Sequence, residues 1–103
     1  MFVILWEFEV KPDCKERFEP VYSPEGNWAV FFRRDPEYRG TRLLRDTAAE
    51  RSYVTLDFWS SREAYEAFRR RHRAEYEALD AECALLTTAE TRLGMFESAV
   101  QLH

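Results

Sequence analysis

The segment 53–59 alternates between two kinds of side chain, and one of the two sets could do chemistry. Positions 54, 56 and 58 are apolar. The positions between and beside them are aromatic or polar: Tyr53, Thr55, Asp57 and Trp59. Successive side chains of a β-strand point to opposite faces, so these four would share one face. A carboxylate, a hydroxyl and two amphipathic aromatic rings on one face are typical of a small-molecule pocket.

Asp57 distinguishes a pocket from a structural role for this face. If both faces of the sheet are covered, its carboxylate is withdrawn from water and needs a partner or a raised pKa. An arginine such as Arg45 or Arg92 could pair with it, and Asp57 would then be structural. Without such a pair, Asp57 is a candidate base in a binding pocket.

A second candidate base is His72, the polar member of an otherwise mainly apolar helical stripe. The stripe recurs at steps of three and four residues: Tyr65, Phe68, His72, Tyr76, Leu79, Cys83 and Leu86. Histidine titrates near neutral pH and can remove a proton; a buried histidine with one hydrogen bond is the structural alternative. Tyr65 and Tyr76 either direct their hydroxyls toward the sheet or are ordinary core aromatics. His103 is given no role.

Several catalytic signatures are missing from the sequence. It contains no GxGxxG, GxxxxGK[ST], HExxH or GxSxG motif, which argues against dinucleotide, P-loop, zinc-protease and hydrolase chemistry. With two histidines and no metal-ligand spacing around Cys14 or Cys83, a metal-centred enzyme is not expected. We therefore expect no cofactor and no metal.

Composition and charge describe one small acidic domain. The 103 residues, of which 46% are hydrophobic and 16% aromatic, can form one core, and we expect one domain over residues 1–103. A net charge of −4 argues against nucleic-acid binding. The arginine-rich run 69–73 is followed by acidic residues and is interpreted as a mixed, solvated helix surface.

The cysteines and the hydropathy pattern predict the compartment. Cys14 and Cys83 each lie on an apolar helical stripe, which favours buried reduced thiols and hence the cytoplasm. The apolar segment 1–6 is too short for a signal peptide. No apolar run reaches the roughly 20 residues of a membrane helix, so a soluble protein with no membrane partner is expected.

The order of predicted elements indicates the fold class. Asp13 with Glu16, and Ser60 with Glu63, have the form of capping boxes that open helices, and the second helix is expected to bend near His72. Asn27 is a candidate cap for a short helix between them. The last few residues are expected to fray. Four strands are predicted, over residues 2–10, 41–46, 51–59 and 88–97.

This order, strand–helix–hairpin–helix–strand, is the ferredoxin-like βαββαβ arrangement of an α+β protein. Right-handed crossovers place the helices on one face of a four-stranded antiparallel sheet. The strands nevertheless carry bulky apolar residues on both faces, and no element remains to cover the second. A second copy is the simplest cover, so we expect a homodimer with the form of a dimeric α+β barrel.

Over about residues 2–97, the sequence resembles the antibiotic biosynthesis monooxygenase superfamily. The similarity lies in the first strand ending Val10-Lys11-Pro12, in the hairpin strand 40–46, and in the segment from Tyr53 to Trp59 that leads into Tyr65-x-x-Phe68. The resemblance implies homodimeric ferredoxin-like barrels with a pocket in each subunit. Some members oxidise aromatic polyketides with molecular oxygen and neither metal nor flavin, and others degrade haem.

The resemblance also implies roles for particular residues. The oxygenase branch uses a tryptophan at the end of the third strand and a tyrosine six residues later, which Trp59 and Tyr65 match. Its asparagine, four residues before the tryptophan, is replaced here by Thr55. The haem-degrading branch needs an asparagine on the first strand, and residues 2–10 contain none.

The leading hypothesis is a cofactor-independent monooxygenase for a small aromatic or quinol-type substrate. Its catalytic residues would be Asp57 or His72 as the base, with Trp59 and Tyr65. Substrate-binding residues are then expected among the neighbours of these groups: Tyr53, Thr55, Phe68 and Tyr76. The alternative is a homodimer that only binds a small molecule or is purely structural; haem degradation is a third choice.

Overall fold

The computed structural model describes residues 1–99, so His103 and the predicted frayed end lie outside the described residues. Within them the chain forms four strands and four α-helices, with a short 3₁₀ turn before the last strand. In chain order these are β1 (Phe2–Val10), α1 (Lys15–Tyr22), α2 (Asn27–Phe32), β2 (Tyr38–Arg45), β3 (Ser52–Trp59), α3 (Arg62–Arg71), α4 (Arg73–Cys83), the 3₁₀ turn (Ala84–Leu86) and β4 (Thr87–Glu97).

The sheet has the order β2–β3–β1–β4, and its neighbouring strands are all antiparallel. The two hairpin strands β2 and β3 are sequential neighbours, while β1 lies between β3 and β4 because each crossover passes through helices. This confirms the α+β, ferredoxin-like fold predicted from the order of elements. It also makes β3 an inner strand, with β2 on one side and β1 on the other.

The predicted long helix is two helices that meet at His72. The backbone of His72 leaves the helical region, with φ −115° and ψ 31°, so the expected bend is confirmed at the expected residue. The predicted caps were less accurate. Ser61, not Ser60, accepts the hydrogen bond from the Ala64 amide at 3.1 Å, because Ser60 still continues the strand by donating its amide to the Glu37 carbonyl.

Neither of the other two predicted helix caps forms. The residue before α1 is Cys14, and no side-chain hydrogen bond caps that helix, so the Asp13 capping box is wrong. Helix α2 begins at Asn27 itself and follows Gly26, again without a side-chain cap. Both cysteines are buried and free, as their place on apolar stripes predicted.

The core lies between one face of the sheet and the helices, and it is largely aromatic. Phe8 of β1 lies against Tyr22 of α1, with ring centroids 4.7 Å apart. Trp59 of β3 lies against Phe68 of α3 at 5.2 Å. The strand face that carries Asp57 is therefore the face covered by the helices. Among residues 1–99, none of the helices has the length and apolar character needed to cross a membrane.

The other face of the sheet is apolar, and none of the described elements covers it. Leu44 and Phe96 are each 51% exposed, and cross-strand pairing joins them to the half-buried residues of β1 and β3. We call this surface the open face. Its members are Val3, Leu5, Leu44, Val54, Leu56, Phe58 and Phe96.

A charge on the open face tests the predicted homodimer. Leu56→Glu should abolish self-association, because the new carboxylate would have to be stripped of water in a sheet-to-sheet contact. Analytical ultracentrifugation should find a dimer for the parent chain and a monomer for the variant. Leu85→Glu, at a position already 65% exposed on the 3₁₀ turn, is the matched control and should remain dimeric. A parent chain that is monomeric at micromolar concentration would contradict the prediction.

Candidate functional site

A cavity of about 220 Å³ lies between the covered face of the sheet and the helices. Each of the four strands and each of the four helices contributes to its wall. Aromatic rings form much of the lining, and two threonine hydroxyls, three carboxyls and two guanidinium groups lie between them. The lining residues are Trp6, Phe8, Tyr22, Trp28, Phe32, Thr41, Thr55, Asp57, Arg69, Tyr76, Asp80, Glu90 and Arg92.

Asp57 is half-buried on β3, and it borders the cavity. The hydroxyl of Thr41, directly opposite on β2, donates a hydrogen bond of 2.7 Å to its Oδ1 atom. Burial raises the pKa of Asp57 to about 6, although the Thr41 hydrogen bond pulls that pKa down. Within residues 1–99 Asp57 forms no salt bridge, so the structural alternative, a pair with Arg45 or Arg92, is not found.

A second group of polar residues, on α3 and α4, faces the cavity. The Arg69 guanidinium carbon lies 3.8 Å from the centroid of the Tyr76 ring, and Arg69 donates a hydrogen bond of 3.2 Å to the Tyr65 hydroxyl. Burial is the main cause of the raised pKa of Tyr76, so its phenol stays neutral even well above neutral pH. Arg69 forms no salt bridge among the described residues, so its charge is available to a ligand.

Three of the eight predicted site residues line the cavity: Thr55, Asp57 and Tyr76. Trp59 lies directly behind the wall, is fully buried, and its indole Nε1 has no hydrogen-bond partner within the described part of the chain. Tyr65 packs on Trp59 at 5.7 Å between ring centroids and reaches the cavity only through Arg69. Phe68 is fully buried in the same layer.

The structure does not bring Tyr53 or His72 to the cavity. The Tyr53 hydroxyl donates to Glu19 of α1, away from Asp57. His72 packs its ring against Phe68, at 4.6 Å between centroids, and its Nδ1 lies 3.8 Å from Glu75. The His72 side chain instead lines a groove between α3 and residues 34–37.

Sequence reasoning missed Arg69, which it placed in a solvated arginine run. Arg69 follows Tyr65 by four residues and therefore shares its helix face, a signal that the run of like charges hid. Glu90 and Arg92 were also missed as site residues. Their position follows from the register of β4, in which Arg92 pairs with Trp6 and Glu90 with Phe8. Among residues 1–99 no group of three or more His, Cys, Asp and Glu side chains is placed to hold a metal ion.

Comparison with known proteins identifies the family. Residues 1–79 match the family model described as antibiotic biosynthesis monooxygenase. The chain therefore belongs to the antibiotic biosynthesis monooxygenase family, as the sequence resemblance predicted, and is a monooxygenase-like protein. No curated protein matches it significantly in sequence.

Solved structures share the fold over nearly the whole chain. SnoaB, a cofactor-independent oxygenase from Streptomyces nogalater, is 22% identical, with 98% of this chain and 95% of that chain aligned and a TM-score of 0.76. A structure from Deinococcus radiodurans described as a putative antibiotic biosynthesis monooxygenase is 10% identical, covering 100% and 97%, with a TM-score of 0.71. A mutant of MhuD with two manganese protoporphyrin IX molecules per active site is 22% identical, covering 100% and 99%, with a TM-score of 0.67.

The raised pKa of Asp57 predicts a pH-dependent stability. Burial raises the Asp57 pKa from 3.8 to about 6, so the folded chain holds this proton more tightly than the unfolded chain, and folding stability falls as pH rises through that window. Asp57→Asn removes the titration and keeps an acceptor for Thr41. Relative to the parent, the variant should gain about 1–3 kcal/mol in unfolding free energy between pH 4 and 7.5. Urea unfolding across that range measures it.

The matched control for this measurement is Asp46→Asn, at an exposed loop carboxylate that caps the Ala48 amide. Over the same range, the gap to the parent should change more with pH for Asp57→Asn than for this control. A constant gap between Asp57→Asn and the parent would contradict a raised Asp57 pKa.

Proposed function

We propose that this protein is a cofactor-independent monooxygenase that oxidises a small aromatic substrate of the dihydroxyaromatic or anthrone type. The observation that carries the proposal is the carboxyl group of Asp57, which borders an aromatic-lined cavity and forms no salt bridge within residues 1–99. Membership of the monooxygenase family supports the reaction class. The SnoaB structure supports the same fold for a cofactor-independent oxygenase.

Asp57 is the base of the proposed reaction. With a pKa of about 6, it is largely ionised at neutral pH and is a stronger base than an ordinary carboxylate. It would take a proton from an acidic C–H or O–H of the substrate and leave an electron-rich anion. For an anthrone, dioxygen adds at the carbanion and protonation gives a hydroperoxide. Loss of water then leaves a carbonyl, so one oxygen atom enters the product and the other leaves as water.

The cavity can stabilise the anion that Asp57 generates. Arg69 and Arg92 bring two positive charges to its wall, and the Thr55 hydroxyl can donate a hydrogen bond. Trp6 and Trp28 line the cavity, and a planar substrate would pack against such aromatic side chains. Tyr65 acts through Arg69 as a positioning residue, because its hydroxyl accepts the Arg69 hydrogen bond.

The size of the cavity limits the substrate. About 220 Å³ is below the roughly 300 Å³ at which pockets for drug-sized ligands begin. A compact substrate with few fused rings fits this volume better than a long polyketide. We propose that the working form is a homodimer joined through the open face, which leaves this cavity on the helix side of each subunit.

Oxygen uptake with anthrone or a dihydroxynaphthalene tests the proposal. The parent chain, stripped of metal by a chelator, should consume one O₂ per substrate and place one ¹⁸O atom from ¹⁸O₂ in the product. Asp57→Asn should lower kcat/KM at least about 100-fold, the lower range for loss of a general base. Asp46→Asn is the control and should stay active. Loss of activity in His72→Ala with Asp57→Asn active would overturn the choice of base.

The same assay separates the two other functions considered from the sequence. A binding-only protein would bind these aromatics, seen as a rise in melting temperature, without consuming oxygen. A haem-degrading protein would bind haem and shift its Soret band. The MhuD structure supports keeping haem in the screen, although the described part of the cavity wall contains no histidine.

Arg69 is expected to set affinity for the anion. Arg69 and Tyr76 line both the cavity and a groove on the outer surface of α3 and α4, so the pair forms the wall between them. Arg69→Met keeps an aliphatic stem but removes the charge. It should lower kcat/KM about tenfold, mainly through a higher KM. Arg70→Met, which lies outside the cavity lining, is the control. Equal kinetics for the parent and Arg69→Met would contradict this role.

A further inference from the structure

Two hydroxyl groups on β2 form a chain that ends on the proposed base. Thr41 donates its proton to Oδ1 of Asp57 at 2.7 Å. The Tyr38 hydroxyl is also hydrogen-bonded to the Thr41 Oγ1 atom. A threonine hydroxyl has one proton, and that proton is already given to Asp57, so Tyr38 must be the donor to Thr41. The chain therefore runs in one direction, from Tyr38 through Thr41 to Asp57.

The chain leaves the two carboxylate oxygens of Asp57 in different surroundings. Oδ1 is occupied by Thr41, whereas no donor among residues 1–99 is hydrogen-bonded to Oδ2. Oδ2 is also absent from the fully buried atoms without a partner, which in the described chain are two indole nitrogens. It is thus accessible, and the space beside Asp57 is the cavity.

We propose that Thr41 and Tyr38 are positioning residues for the base: they fix Oδ1 of Asp57 and leave Oδ2 to accept the substrate proton. The assignment of Oδ2 as the proton acceptor rests on the proposed function. The hydrogen bonds that hold Oδ1 are present in the protein without ligand. Tyr38 lies outside the cavity lining and packs against Phe32 and Trp59. Its hydrogen-bond link to Asp57 runs through Thr41.

Other charged groups face the same cavity, and the test must leave them in place. They are Arg69 on α3, Asp80 on α4, and Glu90 and Arg92 on β4. Two titratable tyrosines also line the cavity, Tyr22 on α1 and Tyr76 on α4. A substitution that removes only a hydroxyl from β2 changes none of these charges. Any change in the Asp57 titration then reports the hydroxyl chain.

The experiment titrates Asp57 directly, by NMR of chains labelled with ¹³C at the aspartate carboxyl and assigned with Asp57→Asn. Thr41→Val has the same shape without the hydroxyl and should raise the Asp57 proton affinity about tenfold, because the charged form loses a hydrogen bond. Tyr38→Phe should raise it less, about two- to threefold, because Thr41 keeps its own bond. Thr41→Ser should restore the parent titration.

A matched threonine control and a rate measurement complete the test. Thr88→Val removes a hydroxyl that bonds the Glu9 carbonyl and should leave the Asp57 titration unchanged. In the oxygen-uptake assay, Tyr38→Phe should move the acidic limb of the pH profile of kcat/KM to higher pH. The size of this move should match the change in the Asp57 proton affinity that NMR measures. If Thr41→Val does not fold, Tyr38→Phe still tests the inference, because it leaves the strand pair and the buried threonine intact.

The outcomes separate this inference from the proposed function. An unchanged Asp57 titration in both Thr41→Val and Tyr38→Phe would refute the positioning role, even if the chain consumes oxygen. If the titration shifts occur as expected but the protein consumes no oxygen, the hydrogen bonds from Tyr38 through Thr41 to Asp57 are supported. The monooxygenase function is then overturned, and with it the role of Oδ2 as the proton acceptor.

Discussion

Asp57 lies on an inner strand of the sheet, in a layer that is mostly aromatic, and its hydrogen-bond partner there is the hydroxyl of Thr41. Ionising a carboxyl in such a layer costs free energy. This cost raises the pKa of Asp57 to about 6. Packing the space beside it with another ring would increase that cost. The raised pKa of Asp57 is a consequence of this placement, and the same placement puts the carboxyl at the wall of the cavity.

The fold explains why the groups around Asp57 come from distant parts of the sequence. In the order β2–β3–β1–β4, the strand that carries Asp57 has Thr41 on one side and the β1 aromatics on the other. The crossovers put the helices over the same face, so that Arg69 and Tyr76 close the cavity from above. Antiparallel pairing fixes each strand neighbour by register, whereas the helix residues depend on how α3 and α4 pack.

Period and register explain what the sequence could predict. Alternation along β3 placed Thr55 and Asp57 on one face, and the 3.6-residue period of the later helices placed Tyr76 toward the sheet. The same rules also selected Tyr53 and His72, which share those faces but lie elsewhere along them. A face is defined by local geometry, whereas a cavity forms where side chains from several elements leave space unfilled. That volume has no signature in the spacing of one element.

The junction at His72 divides the helix layer into two parts that are attached differently. Helix α3 is held by Tyr65 and Phe68, which are buried against the sheet, whereas α4 contributes Tyr76 and Asp80 to the cavity and has only Cys83 fully buried. A tilt of the second segment about this joint would widen or narrow the chamber while the base and its strand neighbours stayed in register. Substitutions in this one short helix could therefore let relatives bind ligands of different width, with the sheet unchanged.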